Sequence, residues 1–246
     1  MEKVNILHYD VRLFDAEDFR DEMVRFCREG QLQSILFLSV SILEEAMVCP
    51  EYRERLSGFQ LLLPGQENVL SMHSLEEYQQ QQLMMDDRYL TQLLSYLEES
   101  GRTLYLVGDQ YEKVQVFMQY CQECYKELRI VGNFVGGEKM EDDSLLNDIN
   151  VTCPDVILTA IAPQLQEHWI LDNVDKLNGR VCIGADVLVL GALKRFRKQV
   201  EKEDHSRIYN WLVELRDTVI DHTQKRKFRL DYEHYMKQQK VLEKRS

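Results

Sequence analysis

Short apolar runs alternate with segments of helical periodicity along the first 186 residues. Seven such runs, each bounded by turn-forming residues, predict β-strands. They lie at residues 4–14, 34–40, 59–63, 103–107, 129–132, 156–161 and 180–184. Between most of them, apolar residues recur every three or four positions, which is typical of amphipathic helices. The alternation predicts an α/β fold with a mainly parallel, Rossmann-like sheet that helices cover on both faces.

From about residue 188 the pattern is helical only, and the charge changes sign. Residues 187–246 hold 15 Lys and Arg against 9 Asp and Glu, whereas residues 1–186 hold 15 against 33. We therefore predict an α/β domain over residues 1–187 and a basic helical appendage over residues 188–246. An acidic body argues against nucleic acid as its ligand. The basic tail is suited to an anionic membrane surface, or forms an ordinary solvated helix face.

Composition narrows the class of protein further. An apolar fraction of 44% with 29% charged residues is typical of a globular chain. No apolar run approaches the roughly 20 residues of a membrane-spanning helix, and the N-terminus lacks the pattern of a secretory signal, so we expect a cytoplasmic protein. Cys121 and Cys124 form a CxxC pair inside a helical pattern without a second such pair. Because the histidines also lack ligand spacing, we predict no metal site.

Polar side chains follow several predicted strands at the point where each strand ends. Gln166 and Glu167 come after the buried run 156–161 and a turn at Pro163. Ligands of open α/β sheets usually bind at the carboxyl ends of the strands. The alternative is that these two side chains only cap and solvate the first turn of a helix. Gly108 and Gly136 follow other strands, where they either cradle a pyrophosphate or form ordinary tight turns.

Four segments, at residues 104–108, 129–136, 153–170 and 180–184, together resemble the WecG/TagA/CpsF family of glycosyltransferases (glycosyltransferase family 26). The likeness spans roughly residues 4–186. It implies transfer of an N-acetylhexosaminyl or hexosyl unit from a UDP-sugar to a lipid-linked acceptor in bacterial cell-surface polysaccharide synthesis. It implies no cofactor beyond the UDP-sugar substrate, and it places the protein at the inner face of the membrane. The sequence leaves homo-oligomerisation open.

The resemblance also implies which residues form the site. The residues expected to line a nucleotide-sugar pocket are Ser39, Ser41, Gly108, Gly136, Gln166 and Glu167. The family's catalytic Asp is replaced by Gly65, which leaves Glu67 and Asp186 as the candidate bases. The alternative is a catalytically impaired relative that acts as a nucleotide-sugar-binding or partner-binding module.

Overall fold

The computed structural model describes residues 2–70, 88–136, 143–203, 227–228, 230–238 and 240. Strands β1 (Glu2–Ile6) and β2 (Tyr9–Leu13) form an antiparallel hairpin. The other six strands form one parallel sheet in the order β4-β3-β8-β7-β5-β6. They are β3 (Gln33–Leu38), β4 (Leu61–Pro64), β5 (Thr103–Gly108), β6 (Arg129–Val135), β7 (Val156–Ala160) and β8 (Val181–Gly184). The predicted α/β fold with a parallel, Rossmann-like sheet is confirmed.

Helices cover both faces of this main sheet. One face carries α1 (Ala16–Phe26), α4 (Arg88–Ser100), α5 (Tyr111–Cys124) and α8 (Asp186–Glu203), and the other carries α2 (Val40–Val48), α3 (Pro50–Leu56), α6 (Asp143–Thr152) and α7 (Leu165–Asn173). In β5, Leu104 and Leu106 lie in the core between the sheet and the first set of helices. Tyr105 and Val107 lie in the core on the opposite face. All four side chains are fully buried. Burial on both faces explains why the strands appear in the sequence as continuous apolar runs.

The N-terminal run at residues 4–14 is not a strand of the main sheet, so that part of the prediction is wrong. The chain reverses at Leu7 and His8, which both adopt positive φ, and β2 packs beside β4. Neither residue is a glycine, and the sequence therefore carried no ordinary turn signal there. One strand end also differs from the prediction, because β6 continues to Val135.

The described residues from 227 onward are helical, and they pack against the hairpin. Phe228 is 1% exposed and lies in the same core as the hairpin side chains. Arg53 of α3 donates a hydrogen bond to the hydroxyl of Tyr235 and lies over its ring. The hydroxyl of Tyr9 in turn bonds to the Arg53 carbonyl. Among the residues described, none of the helices has both the length and the apolar character that a membrane span requires.

Candidate functional site

The carboxyl edge of the main sheet, where its six strands end, brings several of the predicted residues together. The Gly136 N–H donates to the Gly108 carbonyl at 2.8 Å, so these two glycines are direct neighbours. The Ala185 N–H donates to the Thr159 carbonyl at 3.0 Å and joins the ends of β8 and β7. The loops after four strands are therefore tied in pairs by main-chain hydrogen bonds. These residues lie along one edge because the strands that carry them are parallel.

Ser39 and Ser41 lie where β3 passes into α2. The Ser39 hydroxyl caps this helix by accepting the Ile42 N–H at 3.3 Å, and it contacts the Ser41 hydroxyl at 2.9 Å. Ser39 is buried, whereas Ser41 is exposed at the edge. The side chain of Gln66, which follows β4, accepts the Val40 N–H at 3.0 Å. This N-terminus of α2 thus already has two side-chain caps, and Ser41 remains the hydroxyl open to a ligand.

Gly65 is buried in a place that has no room for a side chain. An added Cβ would lie 2.8 Å from the Leu38 carbonyl oxygen and 2.5 Å from a methyl carbon of Val187. The Gly65 N–H donates to the same Leu38 carbonyl at 2.9 Å, which fixes the turn against β3. Its φ is not positive, so lack of space and not backbone conformation requires glycine. A carboxylate at this position would need the neighbouring backbone to move.

Gln166 is 1% exposed and bridges the ends of β7 and β8. Its side-chain oxygen accepts the Thr159 hydroxyl at 3.0 Å and the Asp186 N–H at 3.3 Å. Its side-chain nitrogen lies only 3.0 Å from the place that a Cβ on Gly184 would occupy. A glycine at the end of β8 is therefore what lets this amide approach. From this position Gln166 sets the relative placement of two strand ends.

Glu167 is fully buried, and its carboxylate is bonded within the protein. It accepts the Tyr52 hydroxyl at 2.9 Å and the Gln164 N–H, as the side chain of a helix N-cap motif does. Burial raises the pKa of Glu167, although these hydrogen bonds oppose the rise. Glu167 therefore caps the first turn of the helix, as the alternative interpretation expected, but it is buried and not solvated. Gln164 adopts a φ of 72°, an uncommon conformation that the cap stabilises.

Asp186 begins α8 and lies in a buried charge cluster with Lys113 and Asp109. The Lys113 amino group lies 2.6 Å from an oxygen of each carboxylate, and the three side chains are 7–12% exposed. The second oxygen of Asp109 accepts the Ala162 N–H at 2.7 Å. Burial raises the pKa of Asp186, and the ion pair with Lys113 opposes that rise. The cluster connects the turn after β5 with those after β7 and β8.

Sequence reasoning missed Lys113 and Asp109. Their spacing of four residues favours an ion pair on a helix, but such pairs are common on exposed helices and do not indicate a site. Asp186, the other partner of Lys113, is 73 residues away along the chain. The other candidate base, Glu67, begins a short 3₁₀ turn (Glu67–Leu70) after β4 and is half-buried. The structure thus separates the two candidate bases into different surroundings.

This edge has the groups that anion binding and proton transfer require. Backbone N–H groups at the ends of strands and the starts of helices are suited to phosphate oxygens. Asp186 is a carboxylate with one oxygen that makes no hydrogen bond to the described residues. Buried carboxylates with perturbed pKa values occur often at functional sites. No group of three or more His, Cys, Asp or Glu that could hold a metal occurs within the described ranges.

Comparison with known proteins adds one finding to this geometry. Residues 4–191 match the model of the family described as "Glycosyl transferase WecG/TagA/CpsF family". The match covers the hairpin, the main sheet and the start of α8, including every strand end discussed above. No curated protein matches the chain significantly.

Proposed function

Because the chain belongs to the glycosyl transferase WecG/TagA/CpsF family, we propose that it transfers a hexosyl or N-acetylhexosaminyl unit from a UDP-sugar to a lipid-linked acceptor in bacterial cell-surface polysaccharide synthesis. We expect the reaction at the carboxyl edge, with the UDP-sugar as a substrate and no cofactor. We expect the protein in the cytoplasm at the inner face of the membrane, where its basic tail meets anionic lipid.

The observation that carries the proposal is the ordered carboxyl edge within the matched region. Gly108 and Gly136 are adjacent there, and Gln166 joins the ends of β7 and β8. We expect backbone N–H groups of the turns after β5 and β6 to contact the diphosphate, and Ser41 to contact the ligand from the end of β3. The buried Gln166 and Glu167 would hold the loops in place, since both are bonded within the protein.

The transfer step needs a proton acceptor. The acceptor hydroxyl oxygen bonds to the anomeric carbon, the bond from that carbon to the β-phosphate oxygen breaks, and UDP leaves. The hydroxyl proton passes to a carboxylate, and such general-base help is typically worth about 10²–10⁴ in rate. Gly65 has no room for this group, so we assign the role to Asp186. Glu67 is the other candidate, because it follows Gly65 closely in the chain.

The test is release of UDP from a panel of UDP-sugars with a polyprenyl-linked acceptor. We expect turnover by the full chain and a loss of at least about 10²-fold in kcat for Asp186→Asn. Glu67→Gln is the matched control, and it should retain most of the activity. Turnover that survives both substitutions would show that neither carboxylate is the base. Absence of turnover and of UDP binding by calorimetry at millimolar ligand would contradict the proposed function.

A second candidate function is a binding module that has lost turnover. The crowding at Gly65 favours it, because a carboxylate cannot return there without displacement of β3 backbone. This candidate predicts heat of binding with UDP or a UDP-sugar but no UDP release with any acceptor. The same calorimetry and release assays therefore separate the two candidates.

A further inference from the structure

The buried charge cluster of Lys113, Asp109 and Asp186 has features that go beyond ordinary stabilisation of a fold. It contains one cation and two carboxylates, so its formal charge is negative. Lys113 is the one Lys or Arg found buried in the described part of the chain. A buried charge normally needs full compensation, and a second carboxylate on the same amino group is an unfavourable addition unless it has another role.

The two carboxylates of the cluster are used differently. Asp109 contacts Lys113 with one oxygen and accepts the Ala162 N–H with the other. Asp186 contacts Lys113 with Oδ1 alone, and its Oδ2 makes no hydrogen bond to any described residue. Its backbone N–H is held by Gln166. The main chain and Oδ1 of Asp186 are therefore held in place, while Oδ2 is available to accept a hydrogen bond from a ligand.

We propose that Lys113 is a positioning residue, which holds Asp186 at the carboxyl edge so that the second carboxylate oxygen is available to the reacting ligand. The proposal rests on the proposed function and deepens it. Asp109 anchors Lys113 from the turn after β5, and through Ala162 it ties this anchor to the turn before α7. Lys113 thus acts on the reaction through Asp186 and touches no substrate itself.

The charges around Asp186 give opposite effects that can be tested. Among the described residues, Lys113 and Asp109 are the charged groups that bear on it, while α7 contributes the neutral amide of Gln166. Lys113 lowers the pKa of Asp186 and Asp109 raises it, whereas burial raises it most. Removing Lys113 should therefore move the titration of Asp186 to higher pH, and removing the charge of Asp109 should move it to lower pH.

The experiment follows the Asp186 carboxyl carbon by NMR as the pH is changed, in the full chain without ligand. Asp186→Asn identifies the signal. We expect its midpoint to rise by about one pH unit or more in Lys113→Met and to fall in Asp109→Asn. Lys113→Arg should keep the midpoint near that of the wild type. Lys126→Met, on an exposed lysine just after α5, is the matched control and should change nothing.

The pH profile of kcat/KM for UDP release gives the second readout. Its acidic limb should move in the same direction as the NMR midpoint in each variant, with recovery in Lys113→Arg. A merely structural lysine would lower stability without moving the limb or the midpoint, and that result would overturn the proposal. If Lys113→Met does not fold, Asp109→Asn provides the test, because it should move both the midpoint and the limb to lower pH.

Failure of this inference and failure of the proposed function are distinguishable. A wild type that neither binds UDP nor releases it contradicts the function, while the NMR midpoints still test whether Lys113 controls Asp186. Conversely, active wild type with unmoved midpoints in Lys113→Met and Asp109→Asn contradicts only the role of Lys113.

Discussion

Two aspartates at opposite edges of the main sheet have ion pairs of similar length but different surroundings. Asp155 lies at the amino edge, where the strands begin, and pairs with Arg102 at 2.6 Å. Its other oxygen accepts the N–H of Thr103 at 2.9 Å and its hydroxyl at 3.0 Å. Asp186 at the carboxyl edge pairs with Lys113 at 2.6 Å but shares that lysine with Asp109.

The pKa values of these two carboxyl groups shift in opposite directions. Burial raises the pKa of Asp155, but the Thr103 hydrogen bonds and Arg102 lower it more, so the net pKa lies below its usual value. For Asp186, burial dominates over Lys113 and the net pKa is raised. A carboxylate with all its oxygens bonded in this way is suited to joining β5 and β7. A carboxylate with a spare oxygen and a raised pKa is suited to accepting a proton.

The largest effect is expected where the carboxyl edge is given one more carboxylate. Gly65→Asp should reduce the free energy of unfolding by about 4 kcal/mol or more, since it combines overpacking with a buried charge. Gly65→Ala should reduce the free energy of unfolding by a smaller amount, because it adds the clash with the Leu38 carbonyl but no charge. Urea unfolding measures both. Gly30→Asp is the control, because Gly30 has open space around its Cβ position.

A stably folded Gly65→Asp variant that releases UDP faster than the wild type would contradict this description of the turn. It would mean that β3 and Val187 can move aside and that the edge is less rigid than the contacts indicate.

A smaller effect is expected at the amino edge. Asp155→Ala should reduce the free energy of unfolding by about 2 kcal/mol. It leaves the Thr103 N–H and the Arg102 guanidinium without their partner at a partly exposed position. UDP binding by the folded variant should not change, since the amino edge lies at the opposite side of the sheet. A large loss of UDP affinity in this variant would show that the two edges are coupled.

The pH dependence of stability should separate the two aspartates. The pKa of Asp155 is depressed, so its contribution is present above the unfolded value of about 3.9 and is lost as pH falls through the folded pKa. The pKa of Asp186 is raised, so its ionised form opposes folding above the folded pKa, and this cost disappears as pH falls. Compared with wild type, Asp155→Asn should therefore lose stability and Asp186→Asn should gain it at neutral pH.

Both differences should diminish towards pH 3, and urea midpoints measured from pH 3 to pH 7 would show this. Differences of the same sign in the two variants would contradict the opposite assignments.

The smallest effect is the stability change in Lys113→Arg. Arginine keeps the charge, but its planar group fits the two contacts of an amino group imperfectly, so we expect a loss of about 1 kcal/mol or less. Lys113→Met should lose more, because two buried carboxylates would then lack their cation. Thermal unfolding of the two variants side by side gives the comparison. Equal stability of Met and Arg variants would mean that the cluster is more hydrated than its exposure indicates.

The sequence predicted the main sheet well because five of its six strands are buried on both faces and form unbroken apolar runs, whereas the edge strand β6 is partly exposed. It failed at residues 4–14, where the reversal at Leu7 and His8 uses non-glycine residues with positive φ. At the site, Gly65 was identified as a replacement for an expected Asp, but the crowding by Leu38 and Val187 is visible only in three dimensions. Lys113 was not identified, since its contact with Asp186 depends on how two distant helices pack.

The packing of the tail on the N-terminal hairpin has a consequence for the order in which the protein is made. The two strands of the hairpin leave the ribosome about two hundred residues before Phe228 and Tyr232, which share their core. During that interval, the apolar side chains of the hairpin lack part of their cover. The growing chain is therefore exposed to aggregation at the hairpin until residue 232 has been made, and a variant that lacks residues 228–232 would keep that exposure permanently.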